Sequence, residues 1–487
     1  MKIVFPYDGY ESLGIGYLAA ISMQHGHEVD LHPLKFGDYI RGYSQQSIKN
    51  IEKEKNAILQ LKPDIVAFSL NSFMAGSLIK LALSIKQSGI KTIAGGPHCT
   101  AEPALTAETN AFDAVIAGEA DGAFLSSIES ICKDNYTLPW FFTPENKTAD
   151  YVCADDIHTL PFPAKKLFYN INSYESKDYK IITSRGCPYN CIFCAHSNPK
   201  IKFKYRRRSI DNIIEELIKA KQDFGIKSVY FLDDVFTINE NWVKDFMTIY
   251  KQKINLPFHA ISHPSNINEE IISLLKEGGC SALRLGVQTT TERIKSRIGR
   301  TEDNQKVIDA INNLKNKSIK VEIDHIVNLP GESLQEARES IRFYNNTRPD
   351  SIKVYWLIPL PGTKLFNQSI EQNLITKEQA FNIKTGNAFG RHSYLFYNKS
   401  FNSSKWLGIH FILSYLPILP KAIVSFLIRL KADRFLRIPS FLCIVGIPRF
   451  LNMPGKWDMV GKEHLKRIFH TIPGQSKIIK KEISRIL

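Results

Sequence analysis

Short apolar runs separated by amphipathic helical stretches recur over roughly the first 370 residues, and this alternation limits the chain to layered parallel α/β architecture. Up to about Cys132 the runs are KIVF at 2–5, DIVAFSL at 64–70, TIAGG at 92–96 and DAVIAG at 113–118. They predict a Rossmann-like, doubly wound parallel domain. The later runs end in small or polar residues: Asn71 and Ser72, then Gly96, Pro97 and His98, then Gly118 and Glu119. Ligands of such folds sit at these carboxyl ends. Residues 134–178 carry Pro139, Pro144, Pro161 and Pro163 without a sustained period, as a linker would. Strand-like runs then return near 179–184, 228–234, 258–263, 282–288, 319–329 and 351–358. Six β/α units predict an open TIM-like barrel. Within it, Asn268 is placed to cap a helix that ends at Gly278 and Gly279. The expected division is 1–135 for the first domain, 136–175 for the linker, 176–370 for the barrel and 371–487 for a basic, apolar helical extension.

The first barrel strand runs into Ser184-Arg-Gly-Cys-Pro-Tyr-Asn-Cys-Ile-Phe-Cys-Ala-His196, which sets Cys187, Cys191 and Cys194 in one tight loop. Clusters that only shuttle electrons usually have four cysteine ligands, so a loop supplying three leaves one iron of a [4Fe-4S] cluster open. An open metal position is a catalytic device. Zinc, with His196 as the fourth ligand, is the competing reading, although zinc sites usually draw their ligands from two separated pairs. The N-terminus lacks the three-part layout of a signal peptide, so the thiols are expected in a reducing cytoplasm. Cys280, after Gly278 and Gly279, is expected to be a small buried residue.

The triplet Cys187-x3-Cys191-x2-Cys194, with Phe193 before its last cysteine and a barrel strand before it, resembles the radical S-adenosylmethionine superfamily. The likeness extends from 179 to about 370. It implies that S-adenosylmethionine chelates the open iron and is cleaved reductively to a 5′-deoxyadenosyl radical. It also implies that Phe193, Asp233, Asp234, Arg284, Gln288 and Asn328 contact S-adenosylmethionine, with Pro330-Gly331-Glu332 near the adenine. Superfamily members often have Glu where Gln288 stands.

The first domain resembles the cobalamin-binding domain of one subclass of that superfamily, through Leu13-Gly-Ile-Gly-Tyr-Leu-Ala-Ala20, Ala94-Gly-Gly-Pro-His98, Ala117-Gly-Glu119 and the linker Leu160-Pro-Phe-Pro-Ala164. This likeness implies a cobalamin site made by Leu13, Gly14, Ser69, Asn71, Ser72, Gly96, Pro97, His98, Gly118 and Glu119. The Asp-x-His-x-x-Gly loop that gives cobalt a histidine elsewhere is missing. Either cobalt has no protein histidine beneath it, or the domain keeps the fold without the cofactor. Nucleotide binding through Gly14-x-Gly16 is a weaker alternative, because the third glycine is absent.

Of the net charge of +15, residues 391–487 hold most, with 17 Lys+Arg against 4 Asp+Glu. Basic and aromatic residues alternate there from Trp406 to Phe450, which suits peripheral contact with the inner face of the membrane. A helical cap packed on the barrel is the equal alternative. Pro417, Pro420 and Lys421 argue against a membrane span, and basic residues embedded in aliphatic runs argue against nucleic acid. Together these features predict a radical enzyme that C-methylates a small hydrophobic metabolite, fed by an external electron donor such as flavodoxin or ferredoxin. A cobalamin-assisted cyclase or oxidase of the tetrapyrrole or lipid ring-forming type, or a non-catalytic metal-bound membrane adaptor, are the alternatives. Tyr355, Trp356 and His325 stand at strand ends where a substrate would lie.

Overall fold

The computed structural model describes residues 1–35, 50–154, 156–201, 204–387 and 403–436. Strands β1 (Lys2–Tyr7), β2 (Glu28–Pro33), β3 (Ile65–Ser69), β4 (Lys91–Gly95) and β5 (Ala114–Val115) form one sheet in the order β2-β1-β3-β4-β5. Every pairing is parallel. The strand order reverses between β1 and β3, which opens a crevice at their carboxyl ends. Both faces are covered, which explains the unbroken apolar runs. Ile3, Phe5, Ile65, Ala67 and Ile93 pack with Ile15, Phe124 and Ile128. Val4, Val66, Phe68 and Ala94 pack with Ile58, Leu78 and Ile85. Strand β2 has no counterpart among the predicted runs; it is an edge strand in which only Val29 is buried, so its polar sequence EVDLHP carries no apolar signal.

Continuing the chain, β6 (Asp178–Ile181) leads into a two-stranded antiparallel ribbon of β7 (Ser184–Arg185) and β8 (Arg206–Arg207). Strands β9 (Ser228–Phe231), β10 (Phe258–Ser262), β11 (Cys280–Gln288), β12 (Lys320–Val327) and β13 (Ser351–Trp356) follow. With β6 they form a six-stranded parallel sheet, in the order β13-β12-β11-β10-β9-β6, open between its first and last strands. Helices between successive strands pack outside. The helix Glu269–Glu277 starts as its sequence implies, with Asn268 Oδ1 accepting from the Ile271 amide at 2.8 Å.

The proline-rich stretch between the sheets is packed rather than loose. Phe142 and Val152 bridge to Val115 and Gly118, and Phe141 is fully buried. Further along, the Ala164 amide donates to the Gly16 carbonyl at 2.9 Å, and a Cβ on Gly16 would stand 3.0 Å from Pro163 Cβ. Gly16 is therefore small because the linker presses on it, whereas Gly14 faces open space.

The hydrophobic stretch after Trp406 turns back onto the barrel. Ile409, Ile412, Leu413 and Leu416 are buried, His410 Nε2 donates to the Val354 carbonyl at 3.1 Å, and Arg338 makes a two-pronged buried contact with Asp433 at 2.8 and 2.7 Å. Its apolar content is thus largely used in packing, as the helical-cap alternative expects. No helix among the described residues is long and apolar enough to cross a membrane. Phe441, Phe450, Arg437 and Arg449 lie outside the described residues.

Candidate functional site

The carboxyl ends of the two sheets face each other across a cavity of about 420 Å3. Cavities of this size accept cofactor-sized ligands. From the first domain Leu13, Gly14, Ser69, Gly96, Gly118 and Glu119 line it, on an apolar wall that includes Phe5, Ile93 and Phe124. From the barrel come Arg185, Gly186, His196 and Asp234. A Cβ on Gly14 would meet no protein atom within 4 Å, so that glycine leaves room at the wall.

Four residues expected at the same site are turned elsewhere. Asn71 Oδ1 accepts from the amides of Phe73 and Met74 at 3.0 and 3.1 Å, holding its own loop. Ser72 and His98 hydrogen-bond to each other at 3.1 Å, and Pro97 begins the short helix Pro97–Ala101. His98 is 1 % exposed, and burial lowers its pKa to about 4, so the imidazole is neutral.

Two paired charges join the domains beside the cavity. Arg185 makes a forked contact with Asp121 at 2.7 and 3.0 Å, and Arg206 does the same with Glu119 at 2.7 Å for both oxygens. Both arginines sit on the β7–β8 ribbon, and Arg185 immediately precedes the cysteine loop. Gly186 opens that loop at φ +86°, where a Cβ would stand 2.7 Å from the Lys204 carbonyl oxygen. Only glycine suits such a backbone.

Within the loop the Cys194 amide donates to the Cys191 carbonyl at 3.0 Å. Burial pushes the Cys187 thiol up to about 11 and the Cys194 thiol up to about 12, with the charges of Asp234 and Cys191 adding to it. Thiols in such surroundings become ligands when a cation compensates their ionisation. Arg300 Nη1 approaches Cys191 Sγ at 3.9 Å. Among the described residues no three His, Cys, Asp or Glu side chains are close enough to hold one metal ion. Thiolates on separate corners of a cubane bind different irons, so a cluster does not require that convergence. His196 is engaged by Asp234, with Nε2 to Oδ2 at 2.9 Å, a contact that raises the imidazole pKa. The residue composition and burial of this loop fit an iron-sulfur cluster.

The other barrel candidates divide. Asp233 is fully buried and accepts from the Thr183 amide at 3.2 Å, the Thr183 hydroxyl at 2.6 Å and the Ser184 hydroxyl, tying the end of β6 to that of β9. Asp234 reaches the cavity. Arg284 donates to Glu322 at 2.6 Å within the barrel, and Lys353 meets the same carboxylate at 2.9 Å. Gln288 ends β11 at φ +68° and Asn328 directly follows β12 at φ +61°. Phe193 packs against Ile294, Ile298 and Leu329 together with Tyr355. His325 is fully buried with Nδ1 3.1 Å from the Tyr344 hydroxyl, and Trp356 stacks on His410 at 5.2 Å, so both belong to the packing. Cys280 is buried.

Arg185, Asp121, Arg206 and Arg300 were not among the sequence candidates. Arg185 had a local signal, being two residues before Cys187; the other three acquire their partners only through the tertiary fold.

Residues 181–344 match the family model of the radical SAM superfamily, and residues 3–126 match that of the B12 binding domain. An uncharacterised methyltransferase of Pyrococcus horikoshii is 28% identical, over 74% of this chain and 79% of its own length. The cytidylyl-2-hydroxyethylphosphonate methyltransferase of Streptomyces wedmorensis is 23% identical, over 76% of this chain and 79% of that protein. Among solved structures, the cobalamin-dependent S-adenosylmethionine radical enzyme OxsB with aqua-cobalamin bound shares the fold, with a TM-score of 0.64 at 15% identity, covering 98% of this chain and 84% of that one.

Proposed function

Because the chain belongs to the radical S-adenosylmethionine superfamily and carries a B12-binding domain ahead of its barrel, we propose that it is a cobalamin-dependent methyltransferase that adds a methyl group to an unactivated carbon of a small hydrophobic metabolite. The observation that carries this reading is a cavity lined both by the strand ends of the B12-binding domain and by residues of the cysteine loop. When bound, the cluster with S-adenosylmethionine supplies a 5′-deoxyadenosyl radical and cobalamin supplies the methyl group.

The chain itself supplies position and a water-poor space. Cys187, Cys191 and Cys194 would hold the cluster. Phe193, Asp234, Gln288 and Asn328 are assigned to S-adenosylmethionine, while Asp233 and Arg284 act as positioning residues through Thr183, Ser184 and Glu322. Leu13, Gly14, Ser69, Gly96, Gly118 and Glu119 are assigned to cobalamin. The Arg185–Asp121 and Arg206–Glu119 pairs keep the two halves face to face. A catalytic geometry held by paired charges loses activity when it loosens by about an ångström.

Anaerobic protein loaded with iron, sulfide and cobalamin, then given S-adenosylmethionine and a low-potential reductant such as flavodoxin or ferredoxin, tests the reading. Methyl transfer yields both 5′-deoxyadenosine and S-adenosylhomocysteine, and Cys191→Ala abolishes the former. Deoxyadenosine without S-adenosylhomocysteine would point to cyclisation or oxidation instead. The two curated relatives described above bear the name methyltransferase, which favours the first outcome. Complete absence of S-adenosylmethionine cleavage in loaded protein would support the adaptor reading.

A peripheral membrane contact is a second reading, carried by the outer face of the cap. There Ile423, Phe426, Leu430 and Phe435 are 47%, 60%, 53% and 78% exposed, beside exposed Lys421, Arg429, Lys431 and Arg434. Co-sedimentation with anionic vesicles, lost in Phe426→Asp, would support it; equal recovery of both proteins in the supernatant would remove it.

A further inference from the structure

We propose that Arg300 is a positioning residue that makes the iron-sulfur cluster easier to reduce, by directing a charge-assisted hydrogen bond at the sulfur of Cys191. The inference rests on the cluster assignment above and goes beyond it, to how this chain sets the readiness of its cluster to accept an electron.

The guanidinium is fixed by three hydrogen bonds to two acceptors. Nε and Nη2 both donate to Glu302 Oε1, at 2.9 and 2.7 Å, and Nη2 also donates to the Gly286 carbonyl at the end of β11. That leaves Nη1 aimed at Cys191 Sγ, 3.9 Å away. Arg300 is 8% exposed and Glu302 1%, so water does little to weaken the contact.

Backbone contacts deliver Arg300 to this place. Gly299 adopts φ +75°, and a Cβ there would stand 3.0 Å from the Asn190 carbonyl oxygen, while the Ile192 amide donates to the Ile298 carbonyl at 3.1 Å. The corner at 298–300 therefore lies directly on the cysteine loop. On its far side Glu302 Oε2 is 3.5 Å from His263 Nε2, and the His263 ring stacks on Tyr189 at 3.9 Å with 11° between planes. Tyr189 belongs to the loop, and its hydroxyl donates to Asn266 Oδ1 at 2.6 Å. Arg300 and Tyr189 thus hold the loop from two directions.

An electron from an external donor adds one negative charge to the cluster, with no bond broken and no group lost. A cation hydrogen-bonded to a ligating sulfur stabilises the more negative state, and hydrogen bonds to the sulfurs are a known control on cluster potential. Glu302 works against this, as a buried carboxylate on the other side of the same guanidinium. The two side chains are therefore opposing adjustments of one quantity, a relation that a merely structural ion pair does not predict.

The test is an EPR-monitored redox titration of wild type, Arg300→Lys, Arg300→Met and Glu302→Gln, each with iron and sulfide quantified. At the potential that half-reduces wild type, Arg300→Met should show a reduced-to-oxidised ratio about tenfold lower, the size of one charge-assisted hydrogen bond. Arg300→Lys should fall between them, and Glu302→Gln should shift the opposite way. If Arg300→Met does not retain a cluster, the direction of the Glu302→Gln shift decides. Unchanged midpoints in fully loaded Arg300→Met and Glu302→Gln overturn the proposal while leaving the cluster assignment intact. Wild type that binds zinc and no iron overturns the assignment itself.

Discussion

Arg185 and Asp121 meet through two near-parallel hydrogen bonds of 2.7 and 3.0 Å, linking the residue that leads into the cysteine loop to the turn after β5. Forked arginine-carboxylate pairs of this kind fix geometry as well as adding stability. Arg185→Ala and Asp121→Ala should each weaken cobalamin binding by about 2 kcal/mol, and the double variant should be little worse than either alone. Titration of the cobalamin absorbance in all four proteins measures the coupling; fully additive losses would show that the pair does not act as a unit.

Gly14 lies in the helix Leu13–Gln24 and on the cavity wall, with open space where a side chain would project. Gly14→Leu should leave thermal stability unchanged or raise it by up to about 1 kcal/mol, because glycine disfavours helix. Cobalamin affinity should fall at least about tenfold. Gly16→Ala makes the contrasting control, since its Cβ meets Pro163 and the loss should appear in stability.

His98 is held by Ser72 and kept neutral by burial, and it does not line the cavity. His98→Ala should leave the absorption spectrum of bound cobalamin unchanged. A shift of the visible bands would mean that this imidazole reaches cobalt after all.

Glu332 titrates against the usual carboxylate direction: burial raises its pKa from the ordinary 4.5 to about 8. The folded protein therefore binds more protons than the unfolded chain between those values, so this group's contribution is fully present below pH 4.5 and is lost as pH rises through about 8. Glu332→Gln keeps an acceptor for the Leu329 amide, which bonds the carboxylate at 3.0 Å. The variant should gain on wild type between pH 5 and pH 9 by about 4 kcal/mol. Thermal unfolding at the two pH values reads the difference, and a variant-to-wild-type gap that is the same at pH 5 and pH 9 would contradict it.

Legibility in the sequence followed the range of the interactions. The strands buried on both faces and the Cys187-Cys191-Cys194 spacing are local patterns, and each appears where expected. Strand β2 escaped because an edge strand with polar residues has no apolar run to betray it. Arg300 escaped because its partner Cys191 is 109 residues away, and no local pattern distinguishes it from a surface arginine. Asp233 looked like a ligand-binding strand end, but Thr183 and Ser184 across the sheet take up its carboxylate. The apolar stretch after Trp406 carried a composition equally suited to lipid and to a protein surface, and only the packing of Ile409, Ile412 and Leu413 distinguishes them for the described part.

The β7–β8 ribbon places one constraint on how such a protein can change over evolution. Strand side chains alternate in direction, so a one-residue insertion before Arg185 would turn it away from Asp121 and move Cys187 out of register in the same event. The few residues ahead of the first cysteine are therefore expected to keep their length as such proteins diverge.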